Sequence, residues 1–526
     1  MEQIFLWLAV GAPFAGFFAI IAGAPARATA VAASFAAVVS GVLLFVLTGG
    51  GSVPIAEAWK ATWFELPLVG RVDFGFNVNG VSMPLLLLSV IVGFAGVLVS
   101  SPEEERRAEF YSLLLFMSGG ASAAFTSVDL MGMYVFHELA LIPTFILIGR
   151  HGHGAGRSSV AMRMAVFLVL GSLIALVGIV GLLQLMPEGM RTSNLDEIRA
   201  FLSSGQLADG VPPWIFAAFF VGFGILFGIF PFHSWAPATY AASPAAVAMV
   251  HVGVLKNFGV FVLLTVPFSM FPLSSFGEAA AVMLPVFSVM AAGNILLLGL
   301  AALRQERLDM LLGYMSLMHM GYLVLGLLAD DVFTMTSVVM LMFAHGVATA
   351  ALFAWANHLR SACATLWLDD LTGVGSRSPA LIFAFGLAMM ASIGLPGLAP
   401  FAGEMMLFLN AFEKRTLLTL AAVVGVLISA VVMLRVFRKV FQLAGLVTGE
   451  PEVRSLGISG RIAAALLGAT LVVFGLFPKW ISGPALEAVN VFQSRTAVLK
   501  GSPEDNADRC GARTVTAVLS REEYLR

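Results

Sequence analysis

Of 526 residues, 59% are apolar and only 11% carry charge, against roughly 25% charged in an ordinary soluble domain. That balance excludes a soluble enzyme and makes the chain an integral membrane protein. The net charge of −2 comes with no basic stripe, so nothing points to nucleic acid. The two cysteines, Cys363 and Cys510, stand apart from each other and from any histidine cluster, and indicate neither a metal nor a disulfide framework.

The apolar runs approach spanning length without the period-2 alternation of barrel strands, so the spans are predicted to be helices, whose backbone polar groups are satisfied internally. Counting them gives about 14 candidate transmembrane helices: 3–23, 28–48, 81–100, 109–126, 128–149, 160–186, 213–232, 244–265, 279–302, 309–329, 333–356, 379–412 with a break, 416–442 and 461–483. The first run, Ile4 to Gly23, lacks a basic n-region and reads as a span rather than a cleaved signal. Glycine, with 53 residues, fits close packing between membrane helices.

Two spans are interrupted by proline: GILFGIFPFHSWAP from Gly224 to Pro237, and GLPGLAPFAGE from Gly394 to Glu404. Proline removes a donor and clashes with the preceding turn, so each is predicted to be a discontinuous helix with freed carbonyls; ordinary kinks are the alternative. With spans four to eight laid against nine to thirteen, each break falls in the fourth member of its five-helix unit. Five is odd, so the second unit would be inverted relative to the first. The fold class is therefore an all-α polytopic membrane protein with two inverted five-helix repeats. The expected organisation is 1–108 as N-terminal helices, 109–265 and 279–442 as the repeats, 443–495 as a C-terminal transmembrane helix and 496–526 as a polar tail.

Basic residues collect at alternate loops: Arg27, Arg106, Arg107, Arg150, Arg157, Arg304, Arg307, Arg360, Arg377, Arg438, Lys439 and Arg454. The other loops hold Lys60, Arg71, Arg191, Arg199, Lys414 and Arg415. The positive-inside rule then puts the N-terminus, and with an even number of spans the C-terminus, on the non-cytoplasmic side. The tail from Leu499 is expected to be solvent-exposed, with a short helix near SREEYLR.

Ionisable residues at membrane depth are few. Glu138 lies near the middle of VDLMGMYVFHELALIPTFILIG, on the order of 15 Å from either end of that run, too deep to snorkel. It is expected to be protonated, paired or facing a wet cavity, the bland alternative being an acid satisfied by a neighbouring serine or carbonyl. Lys256 sits inside HVGVLKNFGVF, His319 in LLGYMSLMHMGYLVLGL and His345 in VVMLMFAHGVATAALF. Glu404 follows the second break and His233 the first. Acid, histidine and lysine set a span apart could form a proton relay parallel to the membrane. The quieter readings are hydrogen-bonded core histidines at 319 and 345 and a capped helix end at His233; Lys256 and Glu404 are harder to explain by packing. His137 points about 100° away from Glu138 on a helix and need not share its environment. His151 and His153 fall in a glycine-rich charged loop and are expected to be solvated. No glycine-rich fingerprint, CxxC pair, haem-type histidine pairing or nucleophile elbow appears, so no cofactor or metal is expected.

These residues resemble a known family. FHELALIPTFILIGRHG, PFHSWAPATYAASPAAVAMVHVGVLKNFGVF, YMSLMHMGYLVLG, MFAHGVATAALF and GLPGLAPFAGEMMLF are similar, in this order, to motifs of the antiporter-like subunits of respiratory complex I. With FGFNVNGVSMPLLLL the similarity covers residues 70–450, and the acid at Glu404 matches the M (chain 4) type. The resemblance implies a proton-translocating subunit of an NADH:quinone oxidoreductase in a bacterial inner membrane. Its partners would be other membrane-arm subunits, the lipid bilayer, protons and water. It further implies Glu138 as the paired acid, Lys256 as the central relay, His319 and His345 as connecting groups and Glu404 as the terminal site.

Three departures stand out. The family carries a lysine on the broken helix as partner to the acid; here that position is Leu226, which leaves Glu138 without its usual counter-charge. The expectation is a neutral carboxyl unless a neighbouring subunit supplies the cation. In RLDMLLGY, Arg307 and Asp309 reverse the usual order of acid and base and Met310 replaces a base, while Asn79 stands where an aspartate is common. A second reading from another class is a subunit of a multi-subunit cation/proton antiporter or ion-coupled uptake complex, with no electron transfer.

Overall fold

Hydrocarbon offers the backbone no partners, so a chain this apolar satisfies its amides within helices. The computed structural model describes residues 1–53, 55, 59–101, 104–204, 207, 210–373, 378–442 and 456–497. The expectations for Arg377, Arg454, Cys510 and the tail from Leu499 lie outside the described residues.

The chain begins with α1 (Glu2–Ile21) and α2 (Ala26–Leu47), then a hairpin of β1 (Lys60–Leu66) and β2 (Gly70–Gly75) that sequence reasoning did not anticipate. The strands are antiparallel, from Lys60 opposite Gly75 to Leu66 opposite Gly70, with a bulge between Thr62 and Phe64. There follow α3 (Ser82–Val99), α4 (Arg107–Thr126), α5 (Leu130–His151), α6 (Arg157–Leu183) and the short α7 (Leu195–Ser203). The first broken rod consists of α8 (Pro213–Phe227) and α9 (Ala236–Ala242). Next come α10 (Ala245–Met270), α11 (Glu278–Leu303), α12 (Leu308–Leu328) and α13 (Val332–Cys363). The second broken rod is α14 (Pro379–Ser392) and α15 (Ala399–Phe412), followed by α16 (Thr416–Phe441) and α17 (Ile458–Leu476). The last span was expected over 461–483, but α17 stops before Pro478 and a separate helix, α18 (Lys479–Ala497), starts beyond it.

Among the described residues, eleven helices are long and apolar enough to cross a bilayer. The other expected spans are α4, whose start carries Arg107 and Glu109, and the two rods split into halves. The centre is built from α3, α10, α12 and α13, whose apolar windows are almost wholly enclosed, while α1, α2, α6 and α17 turn much of their apolar surface outward. Lys256, His319 and His345 therefore ride on the most enclosed helices of the bundle.

The two ends differ in charge. At one, Arg71 contacts both Asp73 and Glu197, and the buried Asp129 caps α5 by accepting from the Gly132 amide at 3.0 Å while also accepting from the Asp73 amide and the Ser193 hydroxyl. At the other, Asp309 accepts from Arg307 at 2.8 Å and from Arg360 at 2.6 Å, and Lys439 meets Asp369. The reversed RLD order thus still assembles an acid with two bases, the second supplied by α13. Arg360 also donates to the Ala241 carbonyl, tying the end of the first broken rod to the same cluster.

Candidate functional site

Both proline-containing segments are broken, and each break is held open by side-chain hydrogen bonds. In the first, α8 ends at Gly228, in the left-handed region with φ 80°. Asn294 fills the gap: its Oδ1 accepts from the Phe230 amide at 2.6 Å and its amide group donates to the Gly228 and Leu317 carbonyls. The Trp235 indole donates at 3.2 Å to the Ile225 carbonyl, which also accepts from the Gly228 amide at 3.1 Å. Asn294 sits in a π-turn of α11, Gly293–Leu298. A neutral amide in an apolar run carries no signal in the sequence, and Asn294 was missed.

In the second break, the Ser392 carbonyl left free at the end of α14 accepts from His319 Nε2 at 3.1 Å and from the Ser429 hydroxyl at 3.2 Å. His319 Nδ1 lies 2.8 Å from the Met315 carbonyl. Both ring nitrogens face oxygens that can only accept, so the two contacts are satisfied together only when the ring carries both protons. The broken helix thereby supplies half of a resting place for a charged imidazole.

Lys256 is buried to 1% exposure. It comes directly after a π-turn, His251–Leu255, whose signature is the Lys256 amide donating to the His251 carbonyl at 3.0 Å. Such turns add a residue to the helix and rotate its next side chains onto a new face. Here the rotation delivers the ammonium to Ser316 of α12, where it donates to the hydroxyl and, at 3.3 Å, to the carbonyl. With its lone pair taken, the Ser316 hydroxyl is free to donate to His345 Nε2, 3.3 Å away. The crossing of α10 and α13 is close because Gly253 and Gly346 meet backbone to backbone, where a Cβ on either would strike the other's carbonyl.

His345 stacks on His319, with ring centroids 4.7 Å apart. Beyond them a narrow space of about 10 Å³, lined by His319, Tyr322, His345, Ser392 and Glu404 together with the apolar Leu323, Leu341 and Pro400, leads to the buried carboxyl. That is room for about one water. The Glu404 carboxyl rests on Gly394, at the start of the second break, where φ is 73° and a Cβ would fall on the carboxyl oxygen.

The structure thus brings together Lys256, His345, His319 and Glu404, and adds Ser316, which sequence reasoning missed for want of any signal beyond its contact. It leaves His233 apart, stacked on Phe230 beside the first break. Glu138 lies at the outer face of the bundle between α5 and α6; its side chain is 29% exposed, accepts from the Ser172 hydroxyl, and lies 3.5 Å from His137 Nδ1. His137 therefore does share its environment.

Residues 127–429 match the family model described as NADH:quinone oxidoreductase/Mrp antiporter, transmembrane. The chain belongs to this family. F(420)H(2) dehydrogenase subunit M of Methanosarcina mazei is 30% identical over 84% of this chain and 88% of its own length. NADH-quinone oxidoreductase subunit M of Mycobacterium tuberculosis is 30% identical over 74% of this chain and 70% of its own. Among solved structures, a chain of respiratory complex I from Thermus thermophilus with bound NADH superposes with a TM-score of 0.81 at 27% identity, covering 95% of this chain and all of that one. The chain is a multi-pass membrane subunit of the complex I antiporter-like type, and its relatives of known structure work inside multi-subunit assemblies.

Proposed function

We propose that this chain moves protons across the membrane as a membrane-arm subunit of an NADH:quinone oxidoreductase of the complex I type, holds no redox centre, and uses a mid-membrane path through Lys256, His345, His319 and Glu404. The observation that carries this reading is the continuous buried row from the Lys256 ammonium through Ser316 to the stacked histidines and on to Glu404. Buried ionisable groups are costly in hydrocarbon, and packing alone gives no return for a line of them. A proton on Lys256 passes along the Ser316 hydroxyl to His345, crosses to His319, and reaches Glu404 through the small cavity.

Glu138, partly exposed at the outer face, is the loading group, on a side that an adjoining membrane-arm subunit would cover. His233 serves the first broken rod rather than the row itself. The two five-helix units, 109–265 and 279–442, are inverted repeats, each with its break in the fourth member. The basic loops gathered at the Asp309 end support, by the positive-inside rule, a cytoplasmic position for that end and a non-cytoplasmic one for the termini.

The test is Lys256→Ala in the assembled complex. Proton translocation in inverted vesicles is expected to disappear while the subunit stays incorporated; unchanged translocation removes Lys256 from the mechanism. Sodium-stimulated antiport by a complex lacking NADH- and quinone-reactive subunits would instead support the cation/proton antiporter reading.

A further inference from the structure

Among the described residues, the buried acids, lysine and histidines in the interior of the apolar spans are His137, His251, Lys256, His319, His345 and Glu404, with Asp309 at the charged start of α12. The path above uses four of them. It also contains a gap, because nothing in it joins Glu138 to Lys256. The two unused histidines lie in that gap.

We propose that His137 and His251 form the loading arm of the path, carrying protons from Glu138 to Lys256; this rests on the proton-path reading above. His137 is 2% exposed and its Nδ1 lies 3.5 Å from Glu138 Oε1. Its ring lies flat on Phe258, centroids 4.2 Å apart and planes 12° from parallel, so it reaches from α5 across to α10 just beyond Lys256. His251, also 2% exposed, opens the π-turn that ends at Lys256, and it lies within electrostatic reach of both His137 and Lys256. The rings of Trp235 and Tyr240 pack against it, with centroids at 5.8 and 5.7 Å.

Packing is a poor account of this pair. His137 Nδ1, His251 Nδ1 and the Tyr240 hydroxyl are all buried without a hydrogen-bond partner. Each such atom carries a desolvation cost that phenylalanine or leucine would avoid while filling the same space. Polar atoms left open along the line from an acid to an amine fit a route whose partners come and go. The Glu138 carboxyl gives a proton to His137 Nδ1, and the imidazolium passes one on to His251. His251 delivers it to the Lys256 amine, which becomes the ammonium bound by Ser316. Each histidine returns to neutral after its transfer, while Glu138 is left as the carboxylate and takes up a new proton at the outer face, which balances the positive charge that arrives at Lys256.

The experiment compares His137→Gln, His251→Gln and the double variant with Lys256→Ala, all in the assembled complex in native membrane vesicles. The double variant is expected to slow pH-gradient formation at least ten-fold with assembly intact, and His251→Lys to recover part of the loss by restoring a titratable group. A double variant that translocates like the unmodified complex, beside an inactive Lys256→Ala, overturns the loading arm and leaves the path standing. Unchanged translocation in both overturns the arm and the path together. If the double variant does not assemble, difference infrared spectroscopy with 15N-labelled histidine decides: imidazolium bands appearing on turnover must be lost in His251→Gln, and bands equal to those of the unmodified complex overturn the proposal.

Discussion

The imidazoles of His319 and His345 stack with centroids 4.7 Å apart and planes 21° from parallel, joining α12 to α13 at the centre of the bundle. Two positive rings at that spacing would repel by about 3–4 kcal/mol at an effective dielectric constant near 20. The pair is therefore suited to carry one proton at a time and to act as a unit. Groups that act as a unit lose function non-additively. His319→Gln and His345→Gln are each expected to cut the rate of pH-gradient formation at least ten-fold, and the double variant to be no slower than the slower single. Losses that multiply would show two independent sites.

Gly394 and Gly397 flank Pro396 in the second break and separate two effects. Both have positive φ, 73° and 91°, so alanine at either costs roughly 1–2 kcal/mol of backbone strain. Only at 394 would the added Cβ also strike the Glu404 carboxyl; at 397 it meets open space. Gly397→Ala is expected to lower thermal stability with translocation retained, and Gly394→Ala to lower both. Equal translocation in the two variants would show that the position of the carboxyl does not matter.

How much of this could be read from the sequence depended on whether a residue's importance was local. Glu138, Lys256 and Glu404 stand out because a charge in a long apolar run has few innocent explanations, and Pro231 and Pro396 mark their breaks through the missing amide. Ser316 and Asn294 look ordinary, since their roles arise from contacts 60 and 64 residues away in the chain. A helical wheel separates His137 from Glu138, but it ignores how a flexible carboxylate can swing back toward its neighbour. The RLD order looks like a broken motif because its second base, Arg360, comes from another helix. The expected last span runs past Pro478 although the sequence turns polar there, at Lys479, and the helix beyond it is far less apolar than α17; the hairpin at 60–75 falls between spans.

Arg360 offers a test of that distant contact. Asp309 is 2% exposed and its Oδ2 accepts from both Arg360 and Arg307, of which Arg307 is 42% exposed and Arg360 17%. Arg360 also holds the Ala241 carbonyl at the end of α9. Arg360→Ala is expected to cost about 2–3 kcal/mol, as a hydrogen-bonded pair to a charged, desolvated carboxylate is broken. Arg307→Ala, nearer the solvent, should cost less. Arg360→Lys should recover only part, because the shorter side chain carries its charge on a more strongly hydrated ammonium and must still reach both the carboxylate and the carbonyl that Nη2 now serves. Thermal unfolding of the purified complex measures the order; an Arg307 variant less stable than the Arg360 variant would reverse the assignment.

His153, expected from sequence to be solvated, is instead half-buried at the same end. Burial, then the positive charge of Arg360, push its imidazole down to about 4, with Asp309 opposing and Arg157 adding to the effect. An unfolded histidine titrates near 6.5, so between about pH 6.5 and 4 the unfolded chain binds the extra proton and the folded one does not. The stabilising contribution of the neutral ring is thus complete above that window and is lost as the pH falls through it. The His153 amide also donates to the Ala242 carbonyl at 2.7 Å, so the loss should be felt at the end of the first broken rod. Melting temperature followed from pH 7 to 4 is expected to fall more steeply for the unmodified complex than for His153→Gln; parallel curves would assign the loss to another group. Arg360→Ala supplies the sign control. With that charge gone the folded imidazole moves back toward 6.5, the window narrows from its acid side, and the part of the pH dependence that His153→Gln removes should shrink.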